Sequence, residues 1–301
     1  MTTSTLFRLA LIGLGDCGVG LAERLSTTGL VVRATDPATK NLMRARTLFK
    51  ALRSALVRTG LLTQESAAAA DRQTHLVVNH TEALERADIV FDCLEGDLAT
   101  RRTHLAQWVD LVPAQALLIV VQPPTGWEKL QENFPHPDRL IALQVTEFPS
   151  LLRRGRVQPF PATASHLRVE VTNLMLRAGL LLDTDGLASI PVMMRLYNAL
   201  AREACEILAE QQINPEALDE AVRASVGPLL TALGPLEYAG NLGLEAALGT
   251  ILAGSLSAAA RDHLLHGGPE GAPLALPRTP SGEDGLPESW RRLSRIQMNL
   301  P

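Results

Sequence analysis

The sequence predicts an α/β fold, a mostly parallel sheet covered by helices, followed by an all-helical domain. Three observations carry this. Strand-length apolar runs alternate with helical patterns over residues 1–185, the signature of a sheet wrapped on both faces. The first of these runs ends in clustered glycines from which a helix departs. From Ile190 onward the apolar positions follow helical spacing and no strand pattern is visible.

Taken in order, Phe7 to Gly13 reads as a buried strand and Asp16 to Thr28 as the helix after it. Val31 to Thr35 is the second strand, ending at Asp36, and Pro37 to Arg58 a long helix. His75 to Val78, Ile89 to Cys93, Ala116 to Val121 and Leu140 to Val145 are further strands. Between them Thr81 to Ala87, Leu98 to Val112 and Thr125 to Gln131 are helical. Pro191 to Gln211 reads as one long helix, with proline near its start where a missing N–H costs little. Asn214–Pro215 opens another, asparagine as cap and proline at the first position. Asn241 to His266 is a third, and Glu288 to Met298 a short terminal one. The expected domains are residues 1–185 and 186–301, the second bearing a Gly/Pro-rich arm at 267–287.

Composition excludes several function classes. With 28 Lys and Arg against 32 Asp and Glu, the net charge of −4 argues against a dedicated nucleic-acid binder. Aromatics at 4% leave few stacking platforms for single strands. No apolar run approaches the roughly 20 residues of a membrane helix. The N-terminus runs directly into the first strand without a signal-peptide pattern. Cys17, Cys93 and Cys205 form neither a disulfide framework nor a C-x-x-C pair, so a reducing, cytoplasmic compartment is expected. The histidines, His104 and His136 among them, show no metal-ligand spacing, so no metal is expected.

Gly13-Leu-Gly15-Asp16-Cys17-Gly18 is G-x-G-x-x-G, set between a strand and a helix, with Asp36 ending the next strand. That context makes it a Rossmann-type dinucleotide fingerprint. Gly13 permits the tight turn, Gly15 admits the pyrophosphate to the backbone, and Gly18 lets helix pack on strand. The helix N-terminus offers N–H groups and a partial positive charge to the phosphates. Asp36 is expected to accept from the ribose hydroxyls and to repel a 2′-phosphate, selecting NAD over NADP. Arg33, close by, is the residue that could oppose that preference.

With these pieces in place the chain resembles the 3-hydroxyacyl-CoA dehydrogenase family. The resemblance runs through GLGDCGVGLAERLSTTGLVVRATDPA (Gly13 to Ala38), VFDCLEGDLATRR (Val90 to Arg102) and PDRLIALQVTEFP (Pro137 to Pro149). It continues through MMRLYNALAREACEILAE (Met193 to Glu210) and GPLEYAGNLGLEAAL (Gly234 to Leu248), spanning roughly residues 7–260. It implies NAD-linked hydride transfer on a 3-hydroxy or 3-keto compound carried as a CoA or carrier-protein thioester. It also implies a homodimer through the helical domain, for which the small residues within Leu242 to Leu256 suit close helix contact.

The family moves the hydroxyl proton with a His paired to a Glu, and here the pattern departs. Gln144 stands at the His position, and no acid occurs at Arg156 to Gln158, where the Glu falls. Gln122-Pro123-Pro124 replaces the family's Ser and Asn, Met194 its helical Asn, and Gly96 a Glu, with Glu95 adjacent. Glutamine hydrogen-bonds but does not titrate. Glu147 and Tyr197 are the candidate substitutes, each with a bland alternative as a solvated loop acid or a core tyrosine. His166 reads as a surface or cap histidine. Two rival readings therefore stand beside the dehydrogenase: an NAD-binding pseudoenzyme serving as scaffold or sensor, and a reductase of an imine-type substrate.

Two basic groups complete the list. Lys40, Arg44, Arg46, Lys50, Arg53 and Arg58 fall on the long helix with no acidic residue among them. Such a face attracts phosphates, and Lys40, Arg44 and Lys50 are taken as CoA-side contacts, the alternative being a solvated face. Arg153 and Arg154, with Arg156, are candidates for a substrate carboxylate, or belong to an exposed loop.

Overall fold

The computed structural model describes residues 7–124, 126–146, 148–182, 190–211 and 213–237, with backbone alone for 190–194 and 211. The chain separates into two compact units, Met1–Leu196 and Tyr197–Pro301.

The first unit is built on an eight-stranded sheet of order β3-β2-β1-β4-β5-β6-β7-β8. Its strands are β1 (Leu9–Ile12), β2 (Val32–Thr35), β3 (Thr74–Leu76), β4 (Ile89–Asp92), β5 (Leu117–Val121), β6 (Leu140–Val145), β7 (Arg154–Pro159) and β8 (Leu181–Leu182). All neighbours are parallel except β6 and β7. The helices are α1 (Asp16–Thr27), α2 (Thr39–Arg58), α3 (Gln64–Gln73), α4 (His80–Leu84), α5 (Leu98–Val109) and α6 (Ser165–Arg177).

Why these residues form these strands is visible in their burial. β1, β4, β5 and β6 are buried along their whole length, as continuous apolar runs must be when helices cover both faces. Alternate residues feed two cores. Leu9, Leu11, Phe91, Ile119 and Leu143 pack with α1, α2 and α6, while Ala10, Ile12, Val90, Val120 and Ala142 pack with α4 and α5. The strand order reverses direction between β1 and β4, and a crevice at such a point is where open α/β sheets bind ligands.

Elements absent from the sequence reading include α3, β7 and the two-residue β8. Residues 64–73 form α3, capped by Thr63, whose side chain accepts from Ser66 N–H. Residues 154–159, an exposed loop in one of the two readings above, form antiparallel β7. The stretch read as a helix from Thr125 is instead a 3₁₀ turn at Trp127–Gln131.

The second unit is helical over its described residues: α7 (Ile190–Gln211), α8 (Pro215–Ala221) and α9 (Gly227–Ala232), with a π-helical turn at Val222–Val226. Asn214 caps α8 by accepting from Ala217 N–H, with Pro215 at the first position as expected. The expected helices at 241–266 and 288–298, the small-residue stretch and the Gly/Pro-rich arm lie outside the described residues. No helix among the described residues is long and apolar enough to cross a membrane.

Candidate functional site

The glycine loop follows β1 closely because Gly13 and Gly18 each meet a surface no side chain could share. Gly13 has φ +100°, and a Cβ there would stand 2.6 Å from the Cys93 carbonyl carbon. A Cβ on Gly18 would reach 1.9 Å from Gly13 O, so α1 can start this close to β1 only with hydrogen at that position. Gly15 is different. A Cβ there would meet only Glu95 Oε1, at 3.5 Å, so its missing side chain leaves open space. That space belongs to a cleft of about 400 Å³ with Gly15, Asp16 and Cys17 on one wall and Cys93, Leu94 and Glu95 on the other. Gly15 ends α1 without a side chain to cap its first N–H groups. An anion is the natural partner of N–H groups at such an end.

Asp36 is buried, 5% exposed, and wired into the loop. Its Oδ2 accepts from Leu14 N–H at 2.7 Å, and its Oδ1 from Ala38 N–H at 2.8 Å and Asn41 Nδ2 at 3.0 Å. Oδ1 is thereby filled, and Oδ2 keeps a lone pair for a ribose hydroxyl. These bonds fix the carboxylate at the end of β2, beside the loop. Glycines, open cradle and fixed carboxylate together fit a dinucleotide. Arg33 donates to the Glu82 carbonyl at 3.4 Å.

Beneath the cleft lies an ion pair. Arg101 Nε is 3.1 Å from Asp92 Oδ2, with both side chains 2% exposed. Arg101 also donates to the carbonyls of Asp92 at 3.1 Å and Val121 at 2.8 Å, the last residues of β4 and β5. One guanidinium thus ties together the strand ends that floor the cleft. Burial pushes the Asp92 carboxyl up to about 6, against the opposing pull of Arg101 and of Leu94 N–H. The resemblance did not point to this pair, whose partners come from a strand end and the following helix.

The second half of the expected site sits at the end of β6. Gln144 is buried, 8% exposed, and its Oε1 has no hydrogen-bond partner among the described residues. The antiparallel register puts Arg156 directly opposite it, so the two side chains share a sheet face. Gln144 and Arg156 thus form a cross-strand pair at the end of β6. Next to them Gln122 has φ 49°, a region uncommon for a non-glycine residue. It donates its N–H to Leu143 O at 3.0 Å and accepts at Oε1 from Val145 N–H at 3.3 Å, and it also lines the cleft. Gln122 thus joins the nucleotide cleft to the backbone on either side of Gln144, a placement the sequence reading did not assign.

The other candidates separate. Glu147 lies outside the described residues. Tyr197 begins the second unit and is 65% exposed. Arg44 lies at the cleft itself, ion-paired with Asp16. Lys40, Arg46 and Lys50 are exposed along α2. Arg53 corrects the reading of a solvated cationic run. It is 5% exposed, turned inward onto Glu23 at 2.8 Å, Thr74 Oγ1 at 2.7 Å and Asp71. Arg154 opens β7 and is exposed, whereas Arg153 is half-buried near Arg24. The Arg24 guanidinium is lowered by burial first and then by the charge of Arg153. His166 is exposed in the first turn of α6. No group of metal-ligating residues occurs among the described residues.

Comparison with known proteins agrees with this geometry. The chain is 25% identical over 242 residues to 5-formyl-3-hydroxy-2-methylpyridine 4-carboxylate 5-dehydrogenase of Mesorhizobium japonicum, covering 79% of this chain and 76% of that protein. It is 26% identical over 239 residues to 3-hydroxyadipyl-CoA dehydrogenase of Escherichia coli, covering 79% of this chain and 49% of the relative. The solved structure of a 5-formyl-3-hydroxy-2-methylpyridine 4-carboxylic acid 5-dehydrogenase, described as an NAD⁺-dependent dismutase, superposes with a TM-score of 0.65 at 21% identity. That match covers 97% of this chain and 98% of the other. Residues 8–154 match the NAD-binding domain of 3-hydroxyacyl-CoA dehydrogenases. The cofactor is thus NAD, and residues 8–154 form an NAD-binding domain of the 3-hydroxyacyl-CoA dehydrogenase type.

Proposed function

We propose that the protein transfers a hydride between NAD and a small hydroxy or keto compound, carried on CoA or a carrier protein, with a proton relay that does not use histidine. The observation that carries the reading is the cleft at the ends of β1 and β4, in which Gly13, Gly15, Gly18 and Asp36 keep the full dinucleotide pattern. Asp16 and Cys17 are the further cofactor-side residues, from the first turn of α1. NAD supplies the hydride acceptor or donor. The protein's part is to hold it, exclude water and manage the proton on the substrate oxygen.

Gln144 takes the position of the base without being one. Its orphaned, buried Oε1 is available to a substrate hydroxyl, and a buried amide without a partner costs about 1–3 kcal/mol. Arg156, opposite, suits an oxygen that carries negative charge. Removal of the proton is then assigned to Glu147 or Tyr197. Of the relatives, one is named for a CoA thioester and one for a pyridine carboxylate. Lys40, Arg44 and Lys50 are proposed to face the phosphates of a thioester carrier, and Arg153 and Arg154 a substrate carboxylate. Homodimerisation is assigned to the helical unit.

The Gln144–Arg156 pair also favours a second reading, since neither residue accepts a proton at neutral pH. The protein then binds NAD as a scaffold or sensor, or reduces an imine that arrives already protonated. One experiment separates these readings: NADH binding by fluorescence, followed by NADH oxidation with acetoacetyl-CoA. Binding with turnover that falls in Glu147→Gln or Tyr197→Phe supports the dehydrogenase. Binding without turnover removes the 3-hydroxyacyl-CoA substrate and leaves the second reading. Absence of NADH binding defeats both.

A further inference from the structure

The nucleotide cleft contains two thiols that hydride transfer does not require. Cys17 stands in the first turn of α1 and Cys93 directly follows β4, and they line opposite walls of the same cleft. Gly18 places no side chain between the two walls, since a Cβ there would lie 3.2 Å from Cys93 Cβ. The first turn of α1 therefore rests on Cys93. Cys17 is half-buried, whereas Cys93 is 9% exposed. Burial raises the Cys93 thiol well above its ordinary value, and the nearness of Cys17 raises it further. The structure contains the two as thiols, not as a disulfide.

We infer that Cys17 and Cys93 form a redox-modification site inside the nucleotide cleft, where a hydroperoxide drives a disulfide that shuts out NAD. The steps follow from the different surroundings of the two sulfurs. Cys17, in the first turn of a helix and the more accessible of the two, supplies the attacking thiolate. Its sulfur takes one peroxide oxygen as the O–O bond breaks, giving a sulfenic acid and releasing water when the oxidant is hydrogen peroxide. Cys93, buried and slow to ionise, is the resolving thiol. Its sulfur displaces the hydroxyl from Cys17, and a second water leaves with the Cys93 proton. Two thiols and one peroxide become one disulfide and two waters, with two electrons passing to the peroxide.

A disulfide holds its two Cβ atoms at roughly 3.5–4.5 Å. The bond therefore draws the Cys17 side chain across the cleft to Cys93, through the space beside Gly15 that the pyrophosphate needs. The consequence for NAD rests on the proposed use of this cleft, but the bond itself does not. Cys205 is exposed on α7 and serves as an internal reference for unspecific oxidation.

The test treats the full-length protein with hydrogen peroxide, blocks residual thiols with iodoacetamide and maps the peptides by mass spectrometry. In parallel, NADH affinity is followed by fluorescence. The expected result is a Cys17–Cys93 linked peptide, slower to form with saturating NADH present. NADH affinity falls tenfold or more and returns with dithiothreitol, and Cys93→Ala yields no link. Oxidation of Cys17 to sulfinic or sulfonic acid without a link to Cys93 overturns the proposal. So does a link that leaves NADH affinity unchanged. Reduced protein that fails to bind NADH at all defeats the nucleotide reading and with it the blocking effect, while the linked peptide still reports independently on the thiol pair.

Discussion

The two ends of the candidate site are built by different rules. At the end of β1 the backbone does the binding, and the residues that matter are those without side chains, Gly13, Gly15 and Gly18, held by Asp36. At the end of β6 side chains face each other instead, as the cross-strand pair Gln144 and Arg156, to which we assign the proposed handling of the substrate oxygen. A glycine whose Cβ would stand 1.9 Å from a backbone oxygen has no acceptable substitute. A cross-strand pair can exchange its chemistry and leave the fold intact. The difference teaches where this family can diverge: NAD recognition is locked by sterics, and substrate chemistry is not.

The largest expected effect breaks the comparison from the β6 side. Gln144→His with Arg156→Glu installs the titratable pair in the existing register. A positioned general base contributes typically 10² to 10⁴-fold, so acetoacetyl-CoA reduction is expected to rise about 100-fold or more. NADH affinity should stay unchanged. No gain, with NADH still bound, would mean that the substrate is not a 3-ketoacyl thioester. From the β1 side, Gly18→Ala forces backbone apart, because its obstacle is Gly13 O rather than a flexible side chain. Overpacking of this kind costs about 3 kcal/mol or more, read as a lowered unfolding midpoint together with lost NADH binding.

What the sequence made legible follows the same division. The glycine loop and Asp36 could be read because their spacing along the chain is itself the constraint. The buried strands could be read because a two-sided core leaves uninterrupted apolar runs such as Leu117–Val121. β7 was obscured because Arg154, Arg156 and Gln158 give it the composition of a loop, and only pairing with β6 makes it a strand. Arg53 looked like one more surface cation, since its partners Glu23 and Asp71 lie 30 and 18 residues away in sequence. Arg156 as the partner of Gln144 is a fact of register, and register across an antiparallel pair is not written in local sequence. No local signal marked Gln122, whose left-handed backbone at the end of β5 comes from its place between β5 and β6.

Between the two ends lies the Asp92–Arg101 pair, which sharpens the comparison because it supports both. The Asp92 carboxyl is raised from 3.8 to about 6 by burial. The folded state therefore holds this proton more tightly than the unfolded state. The contribution is present below about 4 and is lost as the pH rises to about 6. Relative to Asp92→Asn, the wild type should lose about 3 kcal/mol of stability between those limits. Denaturant unfolding of both proteins from pH 4 to 8 measures it, and parallel curves would show that Arg101 compensates the charge fully. Asp36→Ala is smaller. It removes a charged acceptor worth roughly 1.5–3 kcal/mol, so NADH should weaken by about tenfold or more. The preference over NADPH should narrow in the same titration.

The smallest effect concerns α2, whose first residue, Thr39, follows Asp36 by three positions. Arg44 is paired with Asp16 and Arg53 is buried, which leaves Lys40, Arg46, Lys50 and Arg58 as the other exposed cations of that helix. Exposed charges act on a phosphate-bearing ligand through water and are screened by salt. Lys40→Ala with Lys50→Ala should therefore raise the KM for a CoA thioester only about two- to fivefold at low ionic strength, and by less at 0.5 M salt. NADH affinity and kcat should stay level, because neither lysine lines the nucleotide cleft. If the same double variant weakens NADH instead, the helix serves the nucleotide end, and the proposed division between a sterically locked cofactor site and a chemically variable substrate site would have to be redrawn along α2.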